Sequence, residues 1–359
     1  MSLKSRTILG VLLSLLLLGW ALRDVSVVEV VQRISDADPV QFGISILIAL
    51  SAFHIRAFRW GFLLRPLGTP APFSARTAAT FIGFAANNVL PARVGEFARA
   101  FVLSRLTPVP AAAAFATLVI ERLLDGIVLI GLLFAAMAAP AFPAEVSPGG
   151  VDFRGWALTA AVVMGVAAGA LLLAVAAPRY AGRIARLLSR FLPERLRAPF
   201  IETLRAFAAG LRILTDIRLS AISLILAIGQ WSFLALSYFF AFRAFGIDHV
   251  PWSGAVFMQS IIALAAAVPS SPGFFGPFEA AARVGLGIWG VPGSQAISFA
   301  VGFHIAGFLP VTLIGVWYLS RFNLSWSDVR GSEAVVENEA VENEAVKEIS
   351  TSRSRNNLS

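Results

Sequence analysis

The sequence contains no cysteine, only three histidines, and little charge for its length. Without cysteine there is no disulfide framework, no thiolate metal site and no cysteine nucleophile. His54, His249 and His304 lie far apart, so a histidine-rich metal site finds no support in the spacing, and no metal or cofactor is expected. Charged residues make up 14% of the 359 positions, where soluble domains carry about 25%. That is too little polar surface to cover a water-soluble core. What is abundant is apolar: 57% of residues are hydrophobic and the mean hydropathy is +0.78. The composition excludes a soluble fold and predicts an all-α polytopic membrane protein.

The net charge of +8 is unevenly placed. Residues 1–323 hold 25 Lys and Arg against 14 Asp and Glu, whereas the remaining residues hold 4 against 7. Basic residues beside apolar runs mark a cytoplasmic membrane face rather than a nucleic-acid surface, and no nucleic-acid motif is present.

A helix needs about 20 apolar residues to cross the ~30 Å hydrocarbon core. Thr7–Leu22, behind Lys4 and Arg6, reads as a retained first span, because no small-residue cleavage site follows it. Val40–Phe58, Val109–Ala139, Trp156–Ala176, Leu219–Phe242 and Gln295–Leu319 complete six full spans. Residues 178–218 carry nine Arg among spaced apolar positions and suit amphipathic helices on the cytoplasmic membrane surface. The chain divides into a transmembrane domain over 1–322 and an acidic, disordered cytoplasmic tail over 323–359. The bias of Lys and Arg places both termini inside and the loops 23–39 and 140–153 outside.

Two segments do not fit full spans. Thr77–Leu90 is short, stops at Asn87-Asn88-Val-Leu-Pro91, and is followed by the short Ala92–Arg105. Trp252–Val268 is short, ends at Pro269-Ser270-Ser271-Pro272-Gly273, and is followed by Phe274–Trp289. Each is flanked by full spans, and the positive-inside assignment gives the two units opposite orientations. Such pairs of broken segments in corresponding places predict two re-entrant helical hairpins in an inverted repeat. The alternative is eight or more spans, with each half-helix crossing at a tilt.

Ionisable groups within apolar sequence cost about 2.5–3.5 kcal/mol on insertion scales, so they mark an ion network or a polar path. Glu121, Arg122 and Asp125 interrupt one long span, and Arg122 is spaced to pair with Asp125. Glu96 with Arg99, and Glu279 with Arg283, stand three and four apart in the second arms of the broken segments. Pro91, Pro269 and Pro272 break helices. Gly95, Gly273 and Gly276 mark the same two breaks, where glycine permits backbone angles that other residues avoid. Asn87, Asn88, Ser270 and Ser271 supply polar groups beside them, either for a polar substrate or as ordinary helix caps. Arg56 and Arg59 with Trp60 read as an interfacial anchor, and His54 and His304 as satisfied interior histidines.

The run Asn87-Asn88-Val-Leu-Pro91-Ala-Arg93-Val-Gly95-Glu96-Phe-Ala-Arg99, then Glu121-Arg122-x2-Asp125, then Pro269-x-Ser271-Pro272-Gly273-x2-Gly276-x2-Glu279, resembles the lysylphosphatidylglycerol synthase transmembrane-domain family. The likeness covers roughly residues 5 to 322. It implies a flippase-like translocase in the bacterial inner membrane, acting on a lipid with a phosphate or aminoacyl head, with a lipid-synthesising enzyme as a candidate partner. It implies roles in the path for Asn87, Asn88, Arg93, Glu96, Arg99, Glu121, Arg122, Asp125, Ser270, Ser271, Glu279 and Arg283. The short tail leaves no room for the family's soluble aminoacyl-transferase domain, so lysyl transfer is not expected. Phe274 stands where that family often has another glycine. Two other readings stay open. One is a multispan glycosyltransferase using a lipid-phosphate donor, suggested by Asp36-Ala-Asp38; the other is a scaffold in a lipid-modifying complex.

Overall fold

The structure, a computed structural model, describes residues 3–90, 94–143, 216–266 and 271–336, and scattered helical positions between 155 and 169. Pro91, Arg93, Pro269, Ser270, most of the 156–176 span, residues 178–215 and the tail beyond 336 lie outside the described residues. The described elements are helical, without strands: α1 Leu3–Leu22, α2 Val27–Ser35, α3 Pro39–Leu64, α4 Phe73–Val89, α5 Gly95–Leu106, α6 Ala111–Met137, α7 Ile217–Ala244, α8 Trp252–Ala265, α9 Pro277–Gly287, α10 Gly293–Arg321 and α11 Trp326–Arg330.

Among the described residues α3 (with the 3₁₀ turn that follows it), α7 and α10 are long and apolar enough to cross a membrane. The pair α1–α2, bent by 80°, is a further candidate. α6 has 27 residues, long enough at about 1.5 Å each to cross, yet it carries Glu121, Arg122 and Asp125. Apolar side chains remain on the outer faces, such as Leu16 on α1, Leu47 on α3 and Leu313 on α10. In lipid that exposure has no cost.

Helix order repeats: long, short, short, long over α3–α6, then again over α7–α10, about 180 residues further on. The caps repeat with it. Asp38 caps α3 by accepting from Val40 and Gln41 N–H, and Asp216 caps α7 by accepting from Arg218 and Leu219 N–H. Pro72 and Pro251 precede the first short helices, and Pro110 and Pro292 the second long ones.

The packing repeats as well. α3 packs along α7, α4 along α10, and α8 along α6, so exchanging the two units maps the contacts onto themselves. The orientation follows from residue pairs. Ala244 O accepts from Asp38 N–H, and Ser45 O accepts from the Ser237 hydroxyl at 2.8 Å. As numbers rise on α3 they fall on α7, so these helices are antiparallel and the repeat is inverted. Each short pair folds back on itself. Asn87 Oδ1 accepts from Gly95 N–H at 2.8 Å across the first break, and Gly285 lies on Met258 in the second hairpin. The two hairpins therefore enter the bundle from opposite ends.

Two features depart from the sequence expectation. The loop 23–39 is not a plain loop: Val27–Ser35 forms the amphipathic α2, which packs on α10 through Val30. A nine-residue stretch with Glu29, Gln32 and Arg33 among valines is too short to show its 3.6-residue period. The tail is ordered at its start, where Ser325 and Asp328 form a capping box around α11, and Val329 and Val336 are buried against the α4–α5 hairpin.

Candidate functional site

The charged residues of α6 do not pair with one another. Glu121 and Asp125 lie one turn apart on the face turned toward α3, where two arginines meet them. Arg56 Nη1 donates to Glu121 Oε1 at 2.7 Å and to Asp125 Oδ2 at 2.8 Å. Arg59 Nη2 lies 2.7 Å from Asp125 Oδ1. From α5, Arg99 grips Glu121 with both terminal nitrogens, at 2.9 and 3.2 Å. Trp231 of α7 donates its indole N–H to Asp125 Oδ1 at 3.0 Å. The guanidinium of Arg99 lies 4.6 Å over the Trp60 ring, and Trp60 is fixed by a bond to Thr117 Oγ1.

This corrects two expectations. Arg56 and Arg59 are not an interfacial anchor: they are buried, at 4% and 0% exposure. On α3 they are three apart, which turns both to α6, and only the neighbouring helix supplies the carboxylates that make burial tolerable. Arg122 does not pair with Asp125. It pairs with Glu96 of α5 at 2.7 Å, at the half-exposed edge of the cluster.

The buried count is unequal. Arg56, Arg59 and Arg99 face two carboxylates, Glu121 and Asp125. One positive charge is left over, and Arg59 Nε and Nη1 have no hydrogen-bond partner among the described residues. A buried unpaired donor costs about 1–3 kcal/mol, more when charged. An anion would relieve that cost.

Beside the cluster lies a cavity of about 270 Å³. Arg56 and Trp231 form the wall shared with the cluster, and Asn88 and Phe274 reach it from the two hairpin breaks. Most of the lining is apolar, with Gln230 and Gln259 as buried amides. Gln230 Oε1 and both polar atoms of Gln259 lack partners among the described residues. Both are missed from the sequence alone, although a glutamine within a long apolar run is a signal that could have found them.

The second hairpin holds the matching polar link. In the first unit, α5 joins α6 through Arg99 and Glu121; in the second, α9 joins α10 through Glu279 and His304, at 2.7 Å. Glu279 does not pair with Arg283, which turns instead to Asp24 at 3.0 Å and to the Ala21 carbonyl on α1. Ser271 N–H is bound by the Ser14 hydroxyl of α1. Gly276, with φ of 97°, lies against the Ser14 backbone, so that any Cβ would collide with it. Asn87 has a structural role, closing the first break, while Asn88 donates to Thr312 Oγ1 at 2.9 Å and faces the cavity. His304 is a satisfied interior histidine, as expected; His54 is exposed, its ring against Phe81.

Fold and site define an integral membrane protein of two inverted helical repeats around a chamber bordered by buried charge. The chain belongs to the lysylphosphatidylglycerol synthase TM region family, whose model matches residues 7–315. It is similar to the glycosyltransferase AglD of Haloferax volcanii, at 28% identity over 77% of this chain and 47% of the relative. It is also similar to the UPF0104 membrane protein MJ1595 of Methanocaldococcus jannaschii, at 29% identity over 27% of this chain and 30% of the relative. A UPF0104 membrane protein of Methanothermobacter thermautotrophicus is 24% identical over 88% of this chain and 92% of its own length. The chain thus spans less than half of the first two relatives. No solved structure matches it.

Proposed function

We propose that this protein is a lipid translocase that moves a phosphate-bearing polar head between leaflets while the acyl chains stay in the surrounding lipid. The observation that carries this reading is the surplus positive charge of a buried cluster that reaches the central cavity through Arg56. A phosphate would meet the planar guanidinium donors and neutralise the excess charge. Gln230, Gln259 and Asn88 would meet the remaining polar atoms of the head. Its apolar lining and position between two oppositely inserted hairpins suit a path that shields the head from hydrocarbon. We place the protein in the bacterial inner membrane with both termini cytoplasmic, on the strength of Lys4, Arg6, Arg65 and the Arg-rich segment 178–218. Arg56 and Arg59 are buried and no longer bear on topology.

The test is reconstitution into liposomes with fluorescent lipids carrying phosphatidylglycerol, aminoacyl-phosphatidylglycerol, phosphatidylethanolamine and polyprenyl-phosphate heads, with bleaching from outside. At least one head should become bleachable beyond the outer leaflet's share. If none moves faster than in protein-free liposomes, the reading fails.

The printed name of the AglD relative keeps a glycosyltransferase reading in view. Against it, the Asp38 carboxylate is engaged in capping α3, and neither Asp36 nor Asp38 lines the cavity. If Asp36→Ala and Asp38→Ala abolish activity while Glu121→Gln does not, the enzyme reading takes its place.

A further inference from the structure

Two amide side chains open on the central cavity without partners. Gln230 of α7 and Gln259 of α8 both line it, at 2% and 1% exposure. Gln230 Oε1, Gln259 Oε1 and Gln259 Nε2 find no hydrogen-bond partner among the described residues. A buried amide left unpaired costs free energy, and native proteins leave few of them. Two such groups from different helices, meeting at one chamber, mark a place built for a ligand.

Their atoms state what that ligand must offer. Gln259 brings an acceptor at Oε1 and two hydrogens at Nε2, and Gln230 brings a further acceptor. An ammonium only donates, so it meets the oxygens and leaves Nε2 unpaired. A carboxylate or a second phosphate only accepts, so it meets Nε2 and leaves the oxygens. A quaternary ammonium does neither. Hydroxyl groups donate and accept, and a few of them on neighbouring carbons satisfy all three atoms.

Charge gives a second reason against a cation. Among the described residues that line the cavity none is acidic, and Arg56 is basic. Arg56 belongs to the cluster of three arginines against two carboxylates, so the surplus there is positive. An aromatic cage can hold a cation, but the Phe84 and Trp231 rings already face the Arg56 guanidinium, at 5.6 and 5.4 Å. His304 offers no free nitrogen, since Glu279 and the Gly273 carbonyl engage both. The other walls are apolar, with rings from Phe274, Phe303 and Phe308. They suit the C–H faces of a polyol or sugar whose hydroxyls turn to the amides. The volume of about 270 Å³ falls near the lower end of small-molecule pockets, about 300–1,000 Å³, and so holds a head without its chains.

We propose that the cavity selects a phosphate-linked head that is neutral and rich in hydroxyls, a polyol or a sugar, and rejects cationic aminoacyl and choline heads. Gln230 and Gln259 read the hydroxyls, and the phosphate lies toward Arg56. The phosphate end rests on the translocase reading, whereas the hydroxyl preference rests on the two amides.

The experiment is competition for binding, without transport. The full chain in detergent micelles is mixed with equimolar dioctanoyl phosphatidylinositol, phosphatidylglycerol, phosphatidic acid, phosphatidylcholine and lysyl-phosphatidylglycerol, and the bound lipids are resolved by native mass spectrometry. Phosphatidylinositol should exceed phosphatidic acid on the order of tenfold, the size of effect expected when buried polar groups gain their partners, with phosphatidylglycerol between them. Phosphatidylcholine and lysyl-phosphatidylglycerol should bind least. Gln230→Met with Gln259→Met keeps the side-chain length and removes both amides. That variant should lose most of the preference for phosphatidylinositol over phosphatidic acid. Its unfolding temperature should hold or rise, because unpaired amides give way to apolar groups of similar shape. Equal binding of those two lipids, a preference unmoved in the double variant, tighter binding of phosphatidylcholine or lysyl-phosphatidylglycerol, or no binding at all overturns the proposal. A lowered unfolding temperature gives the amides a structural role and overturns it too. Because no lipid movement is read, a chain that shows the preference yet flips no lipid removes the translocase reading alone.

Discussion

At the scale of residues, what separates a structural charge from a functional one is whether its removal leaves the count balanced. Arg56 bridges both carboxylates. Arg56→Met strips each of a partner and should destabilise by about 3–5 kcal/mol, the range for breaking a buried pair. Arg59→Met leaves Arg56 and Arg99 against Glu121 and Asp125, a neutral set. It should lower thermal stability in detergent clearly less than Arg56→Met, while abolishing lipid movement in liposomes. If Arg59→Met transports normally, the surplus charge does not serve the substrate. The sequence names Arg99, Glu121 and Asp125 because they interrupt apolar runs. It misplaces Arg56 and Arg59 because a basic-aromatic group at the end of an apolar run has the composition of an interfacial anchor. Whether such a group meets water or a partner depends on α6, a helix some sixty residues away.

At the scale of elements, the hairpins are set by small residues and caps. A Cβ at Gly83 would meet the Gly95 carbonyl and the stem of Arg99, and one at Gly95 would meet the Gly83 carbonyl. Gly95→Ala should therefore force α4 and α5 apart and cost about 1–3 kcal/mol, seen as a lowered unfolding temperature. Asp38→Ala removes a side chain that holds two N–H groups at the start of α3 and should cost about 1 kcal/mol, while Asp36→Ala, which caps no helix start, should cost less. These hairpins are the part of the fold most legible from the sequence, because proline, glycine and asparagine interrupt hydrophobic runs too short to cross. The amphipathic α2 and the ordered start of the tail are not legible. Each depends on a docking surface, α10 for the first and the α4–α5 hairpin for the second, that no local pattern announces.

At the scale of the molecule, the inverted repeat rests on antiparallel packing of α3 and α7, and the cysteine-free chain allows a clean check. Ser45→Cys with Ser237→Cys should cross-link under mild oxidation or with a short bifunctional reagent, whereas Ser45→Cys with Ile225→Cys, three turns away on α7, should not. The reverse pattern would undo the repeat. The two halves are nonetheless fastened by different chemistry. One hairpin is tied by guanidinium and carboxylate, and the other by imidazole and carboxylate. A pair of halves with one architecture can exchange conformations, and here each half is drawn in a different pose: the first break is short and closed by Asn87, the second longer and wound through left-handed turns. If the protein is the translocase proposed above, trading these poses would turn the chamber toward the opposite leaflet. Because its two hinges are tied by different side chains, Arg99 with Glu121 and His304 with Glu279, the two poses are not equal in energy.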